Sequence, residues 1–76
     1  MSKRKAKITR GTFDYERDGR THSGTFIVES GHVNIWTSDG SAHAAQNIQT
    51  IEQIIGMLLS LELGSKLVNV AYARGD

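Results

Sequence analysis

Three imidazoles, one serine–aspartate–histidine loop, a basic run and a single tryptophan are the groups in this chain with chemistry to offer. The histidines, His22, His32 and His43, fall ten and eleven residues apart. No His-x-His or i, i+4 pair puts two of them on one element, whereas a zinc site wants three or four converging ligands. In the strand register derived below, His22 and the cross-strand partner of His32 lie seven residues apart on one strand. That is about 24 Å at roughly 3.4 Å per residue. Those two cannot share an ion within one chain, and neither a metal nor another cofactor is expected.

Ser38, Asp39, Ser41 and His43 crowd one loop. A Ser-His-Asp set works by geometry, and side chains this close around a tight turn mostly point apart. The sequence has neither a nucleophile elbow nor a glycine-rich phosphate loop. No carboxylate pair stands out for acid–base work. Turn chemistry accounts for Ser, Asp and Gly at these positions. The chain is therefore read as having no catalytic residues, and an enzyme built on the Ser38–His43 loop is the last alternative.

Lys3, Arg4, Lys5, Lys7 and Arg10 gather five of the nine basic residues into the first ten positions. The remainder holds four basic residues against all eight acids, so the net charge of +1 hides a strong asymmetry. Such a basic run suits nucleic-acid phosphates. Five phosphate contacts would give a slope of about −4.5 in log affinity against log salt. The acidic remainder offers no continuing basic face, so nucleic acid stands as the alternative partner.

These groups must be held by a small scaffold. Seventy-six residues make one domain, and one this size buries about 60% of the surface its unfolded chain exposes. There is no cysteine, so no disulfide or thiolate site adds stability. No stretch approaches the roughly 20 apolar residues that span a bilayer. The basic start is not followed by an apolar run, so it is not read as a secretory signal. A cytoplasmic protein without membrane contact is expected. Residues 1–6 are read as a flexible basic tail and residues 7–76 as a single α+β domain.

The turns give the architecture. Asp18-Gly19 lies between two runs rich in Thr, Phe, Tyr, Ile and Val, and Asp-Gly tolerates the positive φ of a two-residue hairpin turn. A turn there pairs Arg17 with Arg20, Tyr15 with His22, Phe13 with Gly24 and Gly11 with Phe26. Ser30-Gly31 gives a second turn, pairing Glu29 with His32, Val28 with Val33, Phe26 with Ile35 and Thr25 with Trp36. The two registers are independent, yet they agree. Phe13, Tyr15, Phe26, Val28, Val33 and Ile35 share one face. Thr12, Asp14, Glu16, Thr21, Ser23, Thr25, Ile27, Asn34 and Trp36 share the other. A one-residue slip would mix the two sets.

Asp39-Gly40 repeats the signature and would pair Trp36 with His43 and Ile35 with Ala44, making a fourth strand near residues 41–46. A helical reading of that segment competes, because its alanines favour helix. A helix near residues 50–63 is marked by Thr50 and Gln53 in capping-box spacing. Its stripe is Ile51, Ile54, Ile55, Leu58 and Leu59. Gly64 ends it, with Lys66 expected at its negative end. A last strand near residues 66–73 returns to a sheet edge, with Val68, Val70 and Tyr72 on one side. The fold class is α+β: an antiparallel meander of three to four strands, one amphipathic helix on one face, and a C-terminal strand.

Two surfaces are left over. Trp36 points away from the helix-covered face, with Thr25, Ile27 and His43 beside it, and an open-face tryptophan suits a contact surface. Met57, Leu61 and Leu63 widen the helix's apolar arc and suit a homodimer interface. The leading functional expectation is a small non-enzymatic interaction module. It would be homodimeric and bind a protein partner as an inhibitor or adaptor.

Overall fold

The computed structural model describes residues 8–73. In chain order the elements are β1 (Ile8–Arg17), β2 (Arg20–Glu29), β3 (His32–Thr37), β4 (Gly40–Ala45), α1 (Ile51–Leu63) and β5 (Lys66–Tyr72). The strands form one antiparallel sheet in the order β4-β3-β2-β1-β5. The helix packs on one face of it, mostly over β3, β4 and β5.

Local chemistry sets the first two hairpins. Asp18 and Gly19 take φ of 55° and 75°, and Ser30 and Gly31 take 51° and 74°. Two consecutive positive φ values match the right-handed twist of the strands they join. Both registers follow the expected pairings, from Arg17 with Arg20 through Gly11 with Phe26, and from Glu29 with His32 through Thr25 with Trp36.

The third turn departs from expectation. It centres on Ser38 and Asp39, so Thr37 pairs with Gly40, Trp36 with Ser41, Ile35 with Ala42 and Asn34 with His43. The Thr37 hydroxyl accepts from the Asp39 amide at 3.0 Å and donates to the Gly40 carbonyl at 2.9 Å. This side-chain clasp closes the loop one residue earlier than Asp39-Gly40 would. The strand pairing shifts by two residues, which leaves every side chain on its expected face.

β5 carries a second departure. A bulge opposite Asp14 and Tyr15 leaves Val68 unpaired, since Tyr15 pairs with Leu67 and Asp14 with Asn69. One extra residue flips the alternation. Leu67 therefore joins Val70 and Tyr72 on the helix side, while Val68 is exposed. Lys66 also moves. It opens β5 opposite Glu16 and no basic residue occupies the last helical turn.

The core comprises Phe13, Tyr15, Phe26, Val28, Val33 and Ile35 from the sheet and Ile54, Ile55, Leu58 and Leu59 from the helix. Burying each of these contributes on the order of 1.5–3 kcal/mol. Gly24 is required beneath Phe13. A Cβ there would lie 2.6 Å from the ring and 2.7 Å from the Trp36 carbonyl oxygen. The helix is clamped by its capping box. The Gln53 amide donates to Thr50 Oγ1 at 3.1 Å and the Thr50 amide to Gln53 Oε1 at 2.9 Å. Gly64 in the left-handed conformation ends it.

Candidate functional site

Pairing and alternation lay out the helix-free face of the sheet. One row crosses it as Ser41, Trp36, Thr25, Thr12 and Ala71. The next row reads His43, Asn34, Ile27 and Arg10, and the next Ala45, His32, Glu29 and Ile8. Trp36 stands 45% exposed between two small partners, Thr25 and Ser41. Ile27 is half-buried and Thr25 and His43 are exposed. All four partner-binding candidates thus share one surface. His43 opposes Asn34 rather than Trp36, because of the two-residue shift in the third hairpin.

Arg10 lies on this same face, opposite Ile27. The register of the first hairpin by itself brings it there. Lys3, Arg4, Lys5 and Lys7 lie outside the described residues. Among the described strand residues of this face, Arg10 and Lys66 meet three carboxylates, Asp14, Glu16 and Glu29. Asp14 accepts from Ser23 Oγ at 2.8 Å.

The helix candidates fare unevenly. Met57 and Leu63 pack partly buried against the chain's own core, whereas Leu61 is 74% exposed. At the start of the helix, Tyr72 donates to Glu52 at 2.5 Å and ties β5 to the first helical turn. That hydrogen bond holds the Glu52 carboxyl below its usual range. Burial, with the neighbouring carboxylate second, pushes the Tyr72 phenol up to about 12.

The residue 38–43 loop does not assemble a catalytic set. Asp39 turns toward the helix side, where Tyr15 donates to its Oδ2 at 2.9 Å and Arg17 approaches its Oδ1 at 2.5 Å. His43 sits on the opposite face, next to His32. A base and its orienting carboxylate must share a hydrogen bond to act together, and these two groups lie on opposite sides of the sheet.

The Asp39 contacts belong to a cleft that sequence reasoning missed. Arg17, Asp18, Arg20, His22 and Asp39 line an open volume of about 350 Å³ at the tip of the first hairpin. His22 stacks on Tyr15 with ring centroids 5.3 Å apart. The one available signal was Arg17 directly opposite Arg20, since like charges so placed are destabilising unless something answers them. Asp39, 22 residues beyond Arg17, answers one of them.

No group of three or more metal-binding side chains converges among the described residues. No described helix is long and apolar enough to cross a membrane. Comparison with protein-family models, with curated proteins and with solved structures finds no match.

Proposed function

We propose that this chain is a small non-enzymatic interaction module that docks a protein partner on the helix-free face of its sheet. The observation that carries this reading is Trp36, an indole 45% exposed in the middle of a surface rather than at a terminus. A large aromatic anchor ringed by Thr25, Ser41, Asn34 and His43 has the make-up of an interface hot spot with a polar rim. Action as an inhibitor or adaptor fits a protein that occupies a partner rather than turning over a substrate.

The helix surface supports association less well. Of its three candidates, Leu61 alone is free of the core, against the roughly 800 Å² per partner of a standard interface. A homodimer is therefore referred to the sheet face as well. Nucleic acid is the second reading, favoured by Arg10 on the Trp36 face, where the indole could stack a base. The excess of carboxylates over cations on the described face weighs against a polyanion.

A photo-crosslinking residue at position 36, in cells that express the chain, tests the proposal. A discrete protein adduct is expected at 36 and not at a control position on the exposed side of the helix, 60. Identical labelling at both positions, or none at 36, refutes it. An adduct of twice the chain mass would assign the face to a second copy, and a nuclease-sensitive adduct to nucleic acid.

A further inference from the structure

We propose that His32 and His43 form a two-imidazole chelating site for a divalent transition metal that favours cis, right-angle coordination, namely Cu(II) or Ni(II). The site follows from the third hairpin. In the register expected from the sequence, His43 would face Trp36, four residues along β3 from His32. The turn at Ser38 and Asp39 moves His43 opposite Asn34, so that it becomes the diagonal neighbour of His32 on the same face. Diagonal pairs lie within reach of long side chains.

The two rings meet with His32 Nε2 and His43 Nδ1 2.8 Å apart, ring centroids at 5.0 Å and planes at 33°. In the neutral pair, one ring's N–H points at the other's lone pair. Displacing that shared proton frees both lone pairs, and each ring turns by about 45° to aim its own at an ion roughly 2.0–2.1 Å away, beside the line that joins the two nitrogens.

With the nitrogens kept at this spacing, one coordination angle is favoured. With metal–nitrogen bonds of about 2.0–2.1 Å, donors 2.8 Å apart subtend an angle of about 90° at the metal. That is the cis angle of square-planar and octahedral coordination. Tetrahedral zinc would need the nitrogens about 3.3 Å apart, so it requires the strands or rings to spread. β4 is an outer strand of the sheet, His43 is exposed and His32 half-buried, so the ion can enter from solvent. With no third protein ligand among the described residues, water fills the remaining positions and the site stays open. His22 takes no part, because it stacks on Tyr15 on the other face. The site does not depend on the Trp36 docking reading.

The test uses the untagged full chain, titrated with NiCl2 and CuCl2 by calorimetry. One equivalent should bind, with Ni(II) tighter than Zn(II). His32→Ala and His43→Ala should each weaken binding roughly tenfold or more, while His22→Ala leaves it unchanged. Wild-type affinity in either of the first two variants overturns the proposal, as does an equal loss in His22→Ala. A readout on the wild-type chain covers the case of a variant that does not fold. Substoichiometric Cu(II) should broaden amide NMR signals first around residues 32 and 43, and broadening centred elsewhere overturns the assignment.

Discussion

The phenol of Tyr15 donates a 2.9 Å hydrogen bond to Asp39, joining two residues 24 positions apart. Tyr15 is fully buried, and Asp39 also holds Arg17. A buried hydroxyl without a partner costs about 1–3 kcal/mol. The contact therefore pins the third hairpin over the end of the first.

Asp39→Ala should lower stability by about 1–3 kcal/mol, because it leaves the Tyr15 hydroxyl unpaired. Tyr15→Phe removes the donor as well and should cost about 1 kcal/mol. Urea denaturation of both variants and the double variant gives the coupling directly. Additive losses would show that the two groups do not interact.

Phe26 and Tyr72 touch edge to face at 5.6 Å across Gly11, which pairs with both. A Cβ at Gly11 would run into the backbone carbonyl oxygen of Ala71 and stand 2.9 Å from the Tyr72 Cα and 3.0 Å from the Phe26 ring. Gly11→Val should destabilise the fold by about 3 kcal/mol or more, because the β5 backbone must move away from the added side chain. An unchanged denaturation midpoint would be inconsistent with this packing.

The Tyr72–Glu52 hydrogen bond makes stability depend on pH at both extremes. Tyr72 is raised from its ordinary 10.0 to about 12 in the fold. Its contribution is present in full below pH 10 and disappears as pH rises through about 12. The lowered Glu52 contributes above its ordinary 4.5 and is lost as pH falls through its folded value. Tyr72→Phe should flatten the alkaline loss, read as melting temperature against pH between about 9 and 12. An identical alkaline slope in the variant would assign the loss to other groups.

Thr50→Ala removes the side chain that accepts from the Gln53 amide and should cost about 1 kcal/mol. Trp36→Ala is the contrast. Its indole is 45% exposed, so the melting temperature should fall by only a few degrees. A collapse of the fold in Trp36→Ala would mean that the indole serves packing rather than contact.

Much of this was legible in the residues. Asp18-Gly19 and Ser30-Gly31 carry the positive φ values of their turns, and those turns fix which of Phe13, Tyr15, Phe26, Val28, Val33 and Ile35 face inward. Thr50, Gln53 and Gly64 mark both ends of the helix. These are short-range effects. A turn or a cap is decided by residues within a few positions of each other, so alternation and spacing carry it.

The third turn was harder to read. Asp39-Gly40 resembles the other turn pairs, but the Thr37 hydroxyl competes for the loop backbone and wins. The bulge at Val68 has no local marker, because pairing with β1 creates it. The placement of Arg10 on the Trp36 face needed only the first register.

The sequence by itself determined the first three strands, the helix, two registers and which side chains of those strands face the core, because side-chain period and turn stereochemistry are local. Tertiary structure alone decided that Asp39 meets Tyr15 and Arg17, that Arg17, Arg20 and His22 line a cleft, and that His32 meets His43. Those contacts depend on how a twisted sheet curls and on a two-residue shift in one hairpin. Such a shift keeps every side chain on its face while changing which neighbours it touches.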